Sequence, residues 1–127
     1  MIAVEASCLV GALLGSQPAA VARLSREPML HGPQLLSLEV TAVLCRLVLD
    51  RRLSEGAARG ALRKLAALPL MLHPHNGLVA RIWELRGTLT VREAAYVAVA
   101  EALQLPLVTA DGHLARAPGP RCVIELV

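Results

Sequence analysis

Short apolar runs alternate along this chain with longer stretches whose apolar positions recur every three or four residues. The first signature predicts buried strands and the second predicts helices. Residues 2–6 (IAVEA) predict a strand, and Ser7 is placed to cap a helix from Cys8 to about Leu14 that Gly15 ends. Pro18 falls in the first turn of a second helix, about 18–26. MLHG at 29–32 predicts a very short strand. Pro33 opens a long helix, about 33–51, which the pair Arg51 and Arg52 closes, and Ser54 caps the next, about 55–68. Residues 69–74 predict a strand, and 76–86 predict a helix stopped by Gly87. A buried helix over about 91–103 follows Thr90. Residues 106–110 predict a strand, 111–117 a short helix and 122–127 the last strand.

Strands that are apolar on both faces and alternate with helices imply an α/β sandwich with a mostly parallel central sheet. No repeat, low-complexity tract or long linker divides the chain, so 1–127 reads as a single domain. Composition narrows the function classes. With 55% hydrophobic residues the chain is not disordered. Trp83 and Tyr96 are its only aromatic residues besides histidine, which argues against a stacking platform for single-stranded nucleic acid. A net charge of +3 suits a nucleic-acid partner without establishing one. Cys8, Cys45 and Cys122 are odd in number, widely spaced and set in apolar surroundings, the pattern of buried, reduced thiols in a cytosolic protein. The apolar stretch 94–110 is interrupted by Glu101, Gln104 and Pro106, so it reads as a helix and a strand and not as a membrane span.

Four acids stand where acids are unusual. Glu5 closes the first strand, Asp111 follows the strand PLVTA, and Glu93 lies in the first turn of the most apolar helix. Glu39 has Leu35, Leu36, Ala42 and Val43 as its helical neighbours. The other six acids (Glu27, Asp50, Glu55, Glu84, Glu101 and Glu125) read as ordinary solvent-facing residues. Open α/β sheets bind ligands in the crevice outside the carboxyl ends of their strands. Convergent carboxylates stay ionised together only around a cation, and a hard divalent ion, Mg²⁺ or Mn²⁺, fits oxygen donors best. Each acid also has a local alternative. Thr90 and Glu93 have the spacing of a capping box, Asp111 is a good N-cap, and Glu5 could pair with an arginine. His73 and His75 read as structural, His113 as a solvated helix residue, and Trp83 as an anchor in the core or at a dimer interface.

The stretches MIAVEAS, LLSLEV, LTVREAAYVAVAEAL and PLVTADGHLARAPG, in this order, resemble the PIN-domain family. The resemblance is greatest to the VapC-type ribonuclease toxins of bacterial toxin–antitoxin pairs, and it runs nearly end to end. It implies a three-layer α/β/α fold, a Mg²⁺- or Mn²⁺-dependent endoribonuclease, a homodimer, and a cognate antitoxin whose tail enters the active-site groove. By the same resemblance Glu39 and Asp111 match acids of the family pocket, and Thr109 matches a hydroxyl position beside it. Glu5 and Glu93 stand where the family usually has Asp. Each is longer by one methylene, about 1.5 Å of reach, and a misplacement of about 1 Å can cost on the order of 100-fold in rate.

If the chain is active, Glu5 and Asp111 are expected to hold the metal directly. Glu39 and Glu93 then act through water or a second ion, and Arg86 holds a phosphate or serves its own helix C-terminus. Two function classes follow: an active endoribonuclease toxin, or a pocket distorted by Glu5 and Glu93 that binds antitoxin or RNA without cutting. A phosphoacceptor domain would need a lysine after a late strand, and the only lysine is Lys64, within a helix.

Overall fold

The computed structural model describes residues 1–127. The chain starts with strand β1 (Ile2–Val4), helices α1 (Ala6–Leu14) and α2 (Pro18–Leu24), and strand β2 (Leu30–Pro33). Helices α3 (Leu35–Leu49) and α4 (Glu55–Ala67) lead to β3 (Leu70–His73). After it come α5 (Val79–Glu84), α6 (Val91–Leu103), β4 (Leu107–Thr109), α7 (Gly112–Arg116) and β5 (Ile124–Leu126). The five strands form one all-parallel sheet in the order β3-β2-β1-β4-β5, flanked by helices as the sequence predicts. Strand order runs outward from β1 in both directions, so the switch point lies between β1 and β4, where such sheets place their ligand crevice. The register there is tight: Val4 faces Val108, and Glu5 N–H donates to the Val108 carbonyl at 2.9 Å.

The core is aliphatic, as the composition requires. Ile2, Leu9, Leu30, Leu36, Leu44, Leu107 and Leu114 are fully buried, and Tyr96 is the one large aromatic among them. Helix α6 carries an unbroken buried run from Ala94 to Ala100 and packs on β1, β2 and β4. Helices α1, α2, α3 and α4 pack on one another. No helix is long and apolar enough to cross a membrane.

Several local expectations change. The first strand stops at Val4, because Glu5 and not Ser7 caps α1. Pro33 ends β2, paired with His73, and α3 begins two residues later. The predicted helix 76–86 is α5 flanked by two 3₁₀ turns, Asn76–Leu78 and Leu85–Gly87. All three cysteines are free, but only Cys8 is buried; Cys45 is exposed on α3 and Cys122 is half-buried. Trp83 is 65% exposed, so it anchors no core of this chain. Glu27 and Glu101 are largely covered: Glu27 pairs with Arg23 and the N-terminal amine, and Glu101 takes two hydrogen bonds from Arg81, of 2.7 and 3.0 Å. Arg81 also donates to the Gly119 carbonyl at 2.9 Å, and Thr88 Oγ1 to that of Pro118 at 2.8 Å. Together they pin the segment between α7 and β5.

Candidate active site

Each of the four acids is delivered by an element end or face that local sequence dictates. Glu5 is the first residue past β1. Its Oε2 accepts from Ser7 N–H at 3.0 Å, from the Ser7 hydroxyl, and from Thr109 Oγ1 at 3.0 Å. Thr109 ends β4 and is fully buried. Its hydroxyl donates to Glu5 and accepts from Asp111 N–H at 3.0 Å, so one oxygen ties the two strand-end acids together. Ser7 adds a second tie, accepting from Ala110 N–H at 3.2 Å. Ser7 was not among the residues the sequence singled out for the site. Its signal was its position, two residues after an acid at a helix start.

Asp111 caps the short α7, with Oδ1 accepting from His113 N–H at 2.8 Å. Glu93 closes a true capping box with Thr90: Thr90 N–H donates to Glu93 Oε2 at 3.0 Å, and Glu93 N–H to Thr90 Oγ1 at 3.2 Å. Three of the four acids thus sit at helix N-termini, where exposed N–H groups and the helix dipole favour negative charge. The local readings of Glu93 and Asp111 hold, Glu5 caps α1 and has no arginine partner, and two of the acids also come together. A carboxylate oxygen of Glu93, one of Asp111 and a ring nitrogen of His113 all lie within 4.8 Å of one another. The grouping is therefore this trio, and Glu39 is near enough to Glu5 for its charge to act on that carboxyl. Glu39, on α3, accepts from Tyr96 Oη at 2.6 Å and lies 3.6 Å from Arg92 Nη1. Arg86 is elsewhere engaged: it donates to the Trp83 carbonyl at 2.8 Å and stacks on that ring at 4.1 Å, with no hydrogen bond or ion pair to any of the four acids.

The electrostatics are those of a site short of positive charge. Six of the ten acids have a cationic partner. The four without one are Glu5, Asp50, Glu93 and Asp111, and Asp50 is exposed at the end of α3. Burial pushes the Glu5 carboxyl above its ordinary range against the lowering effect of its Ser7 and Thr109 hydrogen bonds, and the charge of Glu39 adds to the rise. Burial, then the hydrogen bond to Glu39 and the charges of Glu39 and Glu5, raise the Tyr96 hydroxyl, leaving it a firm donor. Hard oxygen donors gathered without a cation suit a divalent ion, and the residues present fit one.

A model of the PIN domain matches residues 2–120. Ribonuclease VapC1 of Mycobacterium tuberculosis is 42% identical over 127 residues, covering 98% of this chain and 96% of its own length. Ribonuclease VapC9 of the same organism is 39% identical, covering 100% of this chain and 98% of its own. Among solved structures, VapBC2 from Rickettsia felis, bound to a DNA fragment from its promoter, superposes with a TM-score of 0.72 at 14% identity. That match covers 99% of this chain and 98% of the other. PAE2754 from Pyrobaculum aerophilum gives 0.71 at 23% identity, over 98% of this chain and 83% of the other. At these identities the two structures speak for the fold.

Proposed function

The chain belongs to the PIN-domain family, among its VapC-type ribonucleases, and on that premise we propose that Glu5, Glu39, Glu93 and Asp111 hold a divalent cation, Mg²⁺ or Mn²⁺, and hydrolyse RNA phosphodiester bonds. The observation that carries this reading is a set of acids without cationic partners: Glu93 lies with Asp111, and the Thr109 hydroxyl joins Asp111 to Glu5 at the ends of β4 and β1. When bound, the ion supplies Lewis acidity towards water and phosphate.

The chain's own residues do the rest. Thr109 and Ser7 fix Glu5, and Thr109 accepts from Asp111 N–H while Ser7 accepts from Ala110 N–H. Tyr96 donates to Oε1 of Glu39 and Arg92 lies 3.6 Å from Oε2; the more loosely engaged Oε2 takes the proton of the attacking water. Arg92, exposed at the start of α6, and Arg116, exposed on α7 with its guanidinium against Gly112, are cations at the rim for RNA phosphates. An acidic pocket repels phosphate, so affinity contributed by such arginines falls with salt.

As the toxin of a toxin–antitoxin pair, this single domain works in the cytosol, which its three free thiols suit. A cognate antitoxin covers the pocket, and the exposed Val79 and Trp83 of α5 are available for a homodimer contact.

Cleavage of a mixed RNA pool with EDTA, Mg²⁺ or Mn²⁺, beside Glu39→Ala and Asp111→Ala, tests the proposal. Metal-dependent cleavage lost in both variants supports it. Silence with every metal leaves a binding protein, and cleavage regained by Glu5→Asp with Glu93→Asp would then assign the loss to the two extra methylenes.

A further inference from the structure

We infer that His113 is a ligand of the cation, so that this site takes a mixed nitrogen–oxygen donor set and favours a first-row transition ion over Mg²⁺. The inference rests on the hydrolytic reading above and adds a residue to it. Three observations carry it. A His113 ring nitrogen lies within 4.8 Å of a carboxylate oxygen of both Glu93 and Asp111, a spread that one ion at the centre can span. The turn that presents the imidazole is fixed by the acid it would join, because His113 N–H donates to Asp111 Oδ1 at 2.8 Å. All three side chains also have an uncommitted donor. Asp111 uses only Oδ1 and Glu93 only Oε2 in hydrogen bonds, while the exposed His113 ring makes none.

The chemistry of the donors then sets the class of ion. Mg²⁺ is a hard cation that keeps oxygen ligands and several waters. Imidazole suits softer divalent ions, and affinity for nitrogen-containing sites rises from Mn²⁺ through Fe²⁺ and Co²⁺ to Ni²⁺. A site made of Glu93 and Asp111 alone would separate these ions weakly. Adding His113 separates them, with Mg²⁺ at the unfavoured end.

The experiment is calorimetric titration of the full chain with Mg²⁺, Mn²⁺ and Co²⁺, together with pulsed EPR of bound Mn²⁺ for coupling to an imidazole nitrogen. Wild type is compared with His113→Ala and Asp111→Asn, each checked for an unchanged thermal transition without metal. We expect nitrogen coupling in wild type and none in His113→Ala. Affinity in His113→Ala should fall by about tenfold or more for Mn²⁺ and further for Co²⁺, with Mg²⁺ binding unchanged. Asp111→Asn should weaken all three ions. Equal Mn²⁺ binding in wild type and His113→Ala with no nitrogen signal would overturn the inference and leave the carboxylate site standing. Failure of wild type to bind any of the three ions would overturn both.

Discussion

The Tyr96 hydroxyl donates to Glu39 over 2.6 Å, joining the most buried helix of the fold to the one acid of the four that does not sit at a helix N-terminus. Tyr96 is 2% exposed and Glu39 is half-buried. A hydrogen bond to a charged group contributes about 1.5–3 kcal/mol, and water reaches part of Glu39, so the lower figure applies. Tyr96→Phe should cost about 1.5 kcal/mol in urea unfolding and slow RNA cleavage. Unchanged cleavage in Tyr96→Phe would mean that the position of Glu39 does not matter to the reaction.

Thr109→Val keeps the shape of the side chain and removes the oxygen shared by Glu5 and Asp111 N–H. Two polar groups at the pocket lose a partner, at a cost of about 1–3 kcal/mol for each that stays buried. Thr109→Ser restores the oxygen. We expect Val to lose both stability and cleavage and Ser to regain most of each. A Val variant that cuts RNA at the wild-type rate would remove Thr109 from the list of positioning residues.

Glu5 makes the fold pH-sensitive in a definite direction. Its carboxyl is raised above 4.5 in the folded chain, so between that value and the folded one the native state binds more protons than the unfolded state. Stability contributed by this group is present below pH 4.5 and is lost as pH rises through the folded value. Glu5→Gln has no charge to desolvate and can still accept from Ser7 and Thr109. In EDTA it should therefore gain on wild type from pH 4.5 to 7 in urea unfolding while losing cleavage. A constant difference across that range would show that burial does not strain this carboxylate.

His31 has the opposite dependence. It is buried on β2, its Nδ1 lies 3.0 Å from His73 Nε2, and its Nε2 has no partner. Burial, then the charge of a protonated His73, push it below 6.5. The unfolded chain therefore takes up the proton first, and stability is full above 6.5 and lost as pH falls towards the folded value. His31→Leu should flatten unfolding free energy between pH 7 and 5, and an unchanged slope would assign the loss to other groups.

Periodicity was enough for the element order, because each strand is a short apolar run and five of the seven helices open on a proline or a capping side chain. It failed at boundaries where one residue serves two roles. Glu5 is the last polar step of a strand pattern and also a helix cap, so the strand was drawn too long. Pro33 is an acceptable helix opener, yet it ends a strand, where it pairs with His73 and the next residue, Gln34, donates its N–H to the His73 carbonyl at 2.9 Å. The acids were legible as misplaced charges on apolar elements. What pattern could not supply was their environment. The Thr109 hydroxyl meets Glu5 only because β1 and β4, more than a hundred residues apart, are neighbours, and His113 looks like any exposed histidine until α6 brings Glu93 alongside it. The cysteines failed for a related reason: an apolar run on α3 does not say which of its faces meets the core, and Cys45 is on the other one.

The sheet order has a bearing on when during its synthesis this molecule becomes dangerous. β1 is made first, yet it lies between β2 and a strand that begins at Leu107. A nascent chain that has exposed Glu5 and Glu39 to the cell has one open side on its central strand and neither Glu93 nor Asp111 to complete the pocket. The closing strand follows β1 by more than a hundred residues, and contacts so distant in sequence form late in folding. On the proposed reading, the four acids cannot act together on RNA until β4 has been made and paired.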